Sequence, residues 1–343
     1  MCIVIVTTAH PEYPLILLNN RDVRFGWTVE NIIQKTKVQT QEYLHRPTAP
    51  AGWWDPPNQH VLGGRDNHRA EHGTWLGMTR QGRLACLTNF REEEMAFIQG
   101  RRSRGAVVNS FLKTSPKSEL TTEEAAEGLI NEGLDGIGGF SLLFGRLQKT
   151  EKTKKNEKTG LAIVSNRSTN VRDVAWLCQQ QGETHALSNS HYGDRSWPKV
   201  VHAEQMVEDA AKKSYASKES KEALIDRLLE ILSVDTLPRQ KVGEEWDIYL
   251  NQLRNSIFVP AIGNDKLAAR KDADEVRAAN GTPNGMTVVD PTSGVYGTQK
   301  QTIILVDRLG KVTFLERTLS DDDGKAIPRG SGDRRFDFDI EGW

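Results

Sequence analysis

Cysteine is scarce in this chain. Cys2, Cys86 and Cys178 are the only three in 343 residues, too few and too widely spaced for a disulfide framework. No Cys-x-x-Cys is present to suggest zinc or redox chemistry, so a reducing compartment fits best. Charge of one sign is lacking too: 45 Lys and Arg stand against 46 Asp and Glu, a formal net charge of −1. That balance leaves no electrostatic footprint for nucleic acid and no polybasic patch for a membrane surface. No run approaches the ~20 apolar residues of a membrane span, so no integral membrane segment is expected. The apolar start lacks a basic region before it and stops at Thr7-Thr8, unlike a signal peptide. Repeats and linker-like breaks in composition are missing as well. What remains is an ordinary globular composition, 37% hydrophobic and 27% charged, expected in the cytoplasm as one domain over 1–343.

What is present begins at the second residue. In "MCIVIVTT", Cys2 opens a β-branched run, Ile3 to Thr8, with the composition of a buried strand. A cysteine there is commonly just a small apolar side chain. Removal of Met1 would instead put a thiol and a free α-amine on one residue. An α-amine with a reference pKa of roughly 7.7–8.0 can take the thiol proton near neutral pH, which makes Cys2 a candidate nucleophile.

Strands are expected at both ends of the chain, with helices between. Cys2–Thr8 and Leu15–Asn19 read as strands joined by "AHPEYP". "RPTAPAGWWDPPNQH" reads as a Pro-rich loop carrying Trp53 and Trp54, which can anchor the loop or line an apolar pocket. "GTWLGMT" and "RLACLTNF" form a hairpin across "RQG", and Arg101–Leu112 and Thr122–Glu132 have helical periodicity. "GFSLLFGRL" and "GLAIVSNR" flank a lysine-rich spacer near 148–159, taken as a solvated insertion. Ser196–Lys213 and Lys221–Leu232 follow as amphipathic helices, and a polar stretch near 260–291 as an irregular insertion. The chain closes with a hairpin around Arg308–Lys311 and an edge strand in "RRFDFDIE". Two sheets covered by helices follow from this order.

Three further groups carry chemistry. In "LLNNRDVRFG", Arg21-Asp22 follows an apolar strand: a salt bridge at a strand end, or an Arg for a thiolate or carboxylate and an Asp for an α-amine. Asn89 in "CLTNF" and Asn189 in "ALSNS" stand at strand ends, as turn formers or as amide donors to an oxyanion, a role worth ~3 kcal/mol. "HRAEH" places His68 and His72 four apart, a metal spacing only on a helix, whereas the flanking "GGRDN" and "HGTW" argue for a loop.

Seven segments occur in one order: "MCIVIV", "LLNNRD", "GGRD", "GTWLGMTRQGRLACLTNFRE", "GFSLLFG", "HALSNSHYGDRSWPKV" and "GTQKQTIILVDRLGKVTFLERTL". Together they resemble the NRDE-domain family from Met1 to about Thr318. That family resembles N-terminal nucleophile hydrolases of the penicillin V acylase and bile-salt hydrolase type. The likeness implies an α+β fold, a four-layer αββα sandwich. By it Cys2 would be the nucleophile, Asn89 and Asn189 the oxyanion and amine-positioning asparagines, and Arg21 and Asp22 a supporting charged pair. Two departures stand out. Val23 takes the place of the glutamate that ends the family tetrad, and Arg21 and Asp22 are adjacent where acylases separate them by two residues. Adjacent strand residues point to opposite faces, so both reach Cys2 only if the strand ends or bulges between them.

The resemblance also implies roles in Golgi organisation, protein secretion and haem or lipid handling around mitochondria. The ligand expected is a small molecule: haem as cargo rather than a required cofactor, a lipid, or an acyl amide. Axial haem ligands available in the sequence are His68, His72, His191 and Cys2. The alternative activity is cleavage of a C–N amide bond by Cys2.

Overall fold

The computed structural model describes residues 2–25, 48–67, 70–89, 103–134, 137–149, 158–239, 251–262, 295–322 and 324–343. Most of the lysine-rich spacer, most of the 260–291 stretch and His68 lie outside them. The strands are β1 (Ile3–Thr7), β2 (Leu15–Arg24), β3 (Ala49–Trp53), β4 (Val61–Arg65), β5 (Leu76–Thr79), β6 (Arg83–Asn89) and β7 (Phe140–Arg146). They continue with β8 (Leu161–Ser165), β9 (Ala175–Leu177), β10 (Thr184–Leu187), β11 (Tyr296–Val306), β12 (Lys311–Thr318) and β13 (Asp333–Asp339). Four α-helices are described: α1 (Arg104–Leu112), α2 (Thr122–Asn131), α3 (Pro198–Ala216) and α4 (Lys221–Leu232).

Every strand pairing within the sheets is antiparallel. One sheet has the order β10-β1-β2-β11-β12-β13, the other β3-β4-β5-β6-β7-β8-β9. Alternation along β1 separates two cores. Val4 and Val6 join Leu62, Met78, Cys86 and Leu143 between the sheets, while Ile3 and Ile5 meet Ala203, Val207 and Leu228 of α3 and α4. The third core lies under α1 and α2, where Val108, Phe111 and Ala126 cover Ala85, Leu142 and Phe144. Helix, sheet, sheet, helix: this is the αββα sandwich expected. Full burial of each Leu or Ile in these layers contributes ~2 kcal/mol.

Local chemistry sets the helix ends. Thr121 caps α2 through a complete capping box with Glu124, Ser220 caps α4 on the Ala223 N–H, and Pro198 opens α3 where its missing N–H costs nothing. One expectation changes: the Pro-rich loop contains β3. β3 is the edge strand of its sheet, where a proline such as Pro50 need not donate to a neighbour. β1 lies one strand in from the edge, between β10 and β2. The tail strand β13 is an edge, as read.

Candidate functional site

Register builds the site. β1 pairs with β2 as Ile3↔Asn20 and Val4↔Asn19, and with β10 as Val4↔Leu187. Carried to the strand end, these registers place Cys2 between Arg21 on one side and Asn189 on the other. Cys2 shares its face with Val4 and Val6, Arg21 with Leu15 and Leu17, and Asn189 with Leu187, all of them on the inter-sheet face. Asn189 is buried, and its Nδ2 donates to the Asn89 carbonyl at 2.6 Å, tying β10 to β6 of the opposite sheet.

Asp22 takes the other face. It follows Leu18 and Asn20, whose neighbours are the helices: Asn20 Nδ2 donates to the carbonyls of Leu232 and Ile257 at 2.8 and 2.9 Å. There Asp22 Oδ1 accepts from Thr298 Oγ1 at 2.7 Å. What Asp22 presents towards the thiol is its backbone: Cys2 Sγ lies 3.9 Å from the Asp22 carbonyl oxygen, a long and weak contact. The adjacency read in the sequence thus divides the pair.

A bulge does occur at this step, but on the partner strand. β11 pairs Thr298 with Asp22 and Lys300 with Arg21, leaving Gln299 extra. Gln299 and Lys300 therefore both stand on the Arg21 side. Arg21 Nη1 donates to Gln299 Oε1 at 2.6 Å, and Gln299 Nε2 donates to Asp322 Oδ1 at 3.1 Å. Trp75 of the facing sheet lies 3.9 Å beneath the Arg21 guanidinium and 5.8 Å from Lys300 Nζ, two cation–π contacts on one ring. Lys300 and Glu316, each 2% exposed, pair at 2.9 Å, and Glu316 also accepts the Ala51 N–H at 2.7 Å. Burial lowers the pKa of Arg21, and the charges of Cys2, Asp66, Glu316 and Asp322 oppose that shift.

A residue not singled out in the sequence completes the surroundings. Lys199, in the first turn of α3, is fully buried. Burial depresses its amine to about 8, against the raising effect of Asp22 and Cys2. Its signal was visible: Lys199 begins the buried stripe Ala203, Val207, Ala210 of an amphipathic helix, and a cation in a first turn opposes the helix dipole.

Behind the row lie polar atoms without partners. Asn19 and Thr302 are cross-strand neighbours on the inter-sheet face, and Asn19 Oδ1 and Thr302 Oγ1 are buried with no hydrogen-bond partner. Thr88 Oγ1, on the Cys86 face of β6, is in the same condition. Such groups are uncommon and call for a ligand, a water or a strain explanation.

The remaining candidates are dispersed. Asn89 offers its carbonyl to Asn189 while its side chain is exposed, and by alternation it shares the outer face with Ala85 and Leu87. Trp53 and Trp54 split between layers: Trp53 packs edge-on to Phe338 at 5.1 Å in the inter-sheet core, and Trp54 donates to the Gly63 carbonyl at 3.0 Å in the α1–α2 core. His72 bonds Asn67 at 3.0 Å in the β4–β5 connection, and His191 is exposed after β10. The described residues contain no group of three His, Cys, Asp or Glu side chains placed to hold a metal.

A sequence profile described as Transport and Golgi organisation 2 matches residues 1–26 and 40–321. The chain belongs to this family. The Transport and Golgi organization protein 2 homolog of Homo sapiens is 28% identical to it over 91% of this chain and 88% of its own length. The Transport and Golgi organization 2 homolog of Mus musculus is 27% identical, again over 91% and 88%. An uncharacterised protein of Saccharomyces cerevisiae is 25% identical over 99% of this chain and all of its own. Among solved structures, the chain is similar to an N-acylethanolamine-hydrolyzing acid amidase ortholog of Caenorhabditis elegans: TM-score 0.40, 11% identity, 69% of this chain and 87% of that one. It is also similar to penicillin V acylase from Agrobacterium tumefaciens: TM-score 0.35, 14% identity, 99% and 86%. No described helix is long and apolar enough to cross a membrane.

Proposed function

We propose that the Cys2 end of the six-stranded sheet is a small-ligand site of N-terminal nucleophile type, which serves Golgi organisation and protein secretion from the cytoplasm. Its cargo would be an acylated or lipid molecule, or haem. One observation carries this reading: the in-register row Asn189–Cys2–Arg21–Lys300 stands in front of the buried, unpartnered Asn19 and Thr302 oxygens. Arg21 supplies a cation for a carboxylate or phosphate, already backed by Gln299 and Trp75. Titration of the full chain with dodecanoate and with haemin tests it. Saturable binding of either, weakened at least tenfold by Arg21→Met, is expected; no saturable binding of both overturns it.

A second reading is favoured by the position of Cys2 between Arg21 and Asn189. Here the Cys2 thiolate, its proton passed to its own α-amine, attacks an amide carbonyl. The Asn189 amide stabilises the oxyanion, the C–N bond breaks, and the amine leaves with that proton. Water then hydrolyses the thioester to the acid and the free thiol. Intact mass decides the premise: a retained Met1 or an acetylated amine ends this mechanism and leaves ligand binding standing.

A further inference from the structure

The segment "HALSNSHYGDRSWPKV" contributes Asn189 to the Cys2 site, yet most of its side chains do something else. They line a separate cleft of 260 Å³ between β10, residues 188–197 and α3. His185, Tyr192, Trp197, Val200 and Glu204 form its walls. Two of the lining side chains, His185 and Tyr192, are joined in a line with Glu183, which stands just outside the lining. His185 Nε2 lies 2.9 Å from Glu183 Oε2, and His185 Nδ1 lies 3.0 Å from the Tyr192 hydroxyl.

Chemistry dictates which way these bonds run. Burial pushes the Glu183 carboxyl up, but hydrogen bonds from His185 and from the backbone of Gln180 and Cys178 outweigh it and hold the group below the usual carboxylate range. An ionised Glu183 only accepts, so His185 Nε2 carries the proton. In the neutral imidazole Nδ1 is then an acceptor, and the Tyr192 O–H is spent on it. In the imidazolium Nδ1 is a donor, Tyr192 oxygen accepts, and the phenolic proton turns to the cleft. Burial, with Glu204, Cys178 and Glu183, raises the Tyr192 pKa against the effect of Arg195, so the phenol keeps its proton for this exchange.

We propose that this cleft is a second ligand site, for a small carboxylate with an apolar ring, whose binding is coupled to protonation of His185. The carboxylate accepts from Tyr192 and meets the imidazolium charge, and the ring rests on Trp197 and Val200. Other charges around the cleft are already committed. Arg195 is paired with Glu204, which also accepts the Ala186 N–H at 2.9 Å. Asp194 is held at about 2, where hydrogen bonds from Ser190 and Ser196 overcome burial, and burial with the Glu183 charge pushes the Cys178 thiol up to about 12. His191 is the other histidine that lines the cleft. This site does not depend on the Cys2 reading.

The probe is benzoate, titrated into the full chain at about pH 5.5 and about pH 8, either side of ordinary histidine titration. Binding is followed by tryptophan fluorescence and by the imidazole NMR signals, with His191→Gln as the background that isolates His185. Saturable binding at least ~10-fold tighter at the lower pH is expected. Tyr192→Phe should remove most of that affinity, and Cys2→Ala should leave it unchanged. Should Tyr192→Phe not fold, His185→Gln is expected to fold and to abolish the pH dependence. Absence of saturable benzoate binding, equal affinity at both pH values, or an unaltered Tyr192→Phe would each overturn the proposal.

Discussion

Two thiols face the same inter-sheet layer from opposite sheets, and they live under different physics. Cys86, in the middle of β6, is fully buried among Leu62, Met78, Leu84 and Leu143, and burial, with the charge of Cys2 adding to it, pushes its thiol well up. Cys2 stands at a strand end, half-buried, between Arg21 and Asn189, with Lys300 one strand further. Position along the strand, rather than residue type, separates a thiol sealed in apolar contact from one set among polar and charged side chains. The contrast extends past the cysteines. Around Cys86 the layer is closed by apolar contact, whereas around Cys2 it is closed by charge pairs and a bulge. The two ends should therefore fail in different ways.

The largest effect is expected at the buried ion pair. Lys300→Met leaves Glu316 buried without its cation and should cost roughly 3–5 kcal/mol, read from urea unfolding. Lys300→Met with Glu316→Leu should recover most of the loss, apart from the Ala51 N–H that Glu316 serves. If the single variant were as stable as the parent, the Cys2 end would be held by apolar contact after all, and the contrast with Cys86 would dissolve.

Lys199 comes next, and its sign can be worked out. Its amine is depressed from an ordinary value near 10.5 to about 8, so between those pH values the unfolded chain binds the extra proton. Stability must therefore rise as pH goes from about 8 to about 10.5, by on the order of 3 kcal/mol, and be lowest in this respect below pH 8. Lys199→Met should flatten that limb. A limb that persists in the variant would place the titrating group elsewhere.

Legibility in the sequence followed the same division. The apolar body was readable: the β-branched and apolar runs in Ile3–Thr7, Phe140–Arg146 and Lys311–Thr318 are strands buried along most of their length. β3 was hidden by Pro50, because proline argues against strands in general yet is tolerated at an edge. β2 runs on to Arg24, six residues past the apolar stretch that ends at Leu18, because polar partners on both faces bury Asn19 and Asn20 without leaving a hydrophobic pattern. The Cys2–Arg21–Asn189 row was legible as residues, not as geometry. That β2 stays regular through Arg21 and Asp22, with the bulge at Gln299 on β11 instead, is decided by a pairing 276 residues away in sequence at Thr298. Local patterns carry no register of that range.

A smaller effect tests how Asn189 is held. Its Nδ2 bond to the Asn89 carbonyl joins the sheets at the Cys2 end, and Asn189→Ala removes it and strands a carbonyl. A loss of about 1–2 kcal/mol is expected by urea unfolding. Little or no loss would mean that this amide is held for a ligand rather than for the fold.

The smallest change is also the one that distinguishes the two ends most finely. Thr88 sits two residues beyond Cys86 on the same inter-sheet face, fully buried, with Oγ1 lacking a partner. If the apolar body of the layer extends this far, Thr88→Val replaces a stranded hydroxyl with a methyl of the same shape and should stabilise the chain by about 1 kcal/mol. If the Cys2 site extends this far, the hydroxyl is satisfied in solution by bound water or ligand, and the same substitution should destabilise by a similar amount. It should then also weaken dodecanoate or haemin binding. Thermal unfolding of the variant with and without those ligands reads both the sign and the linkage. A gain in stability with unchanged binding places the boundary between the two regimes in the two-residue step from Thr88 to the carbonyl of Asn89, where Asn189 crosses over.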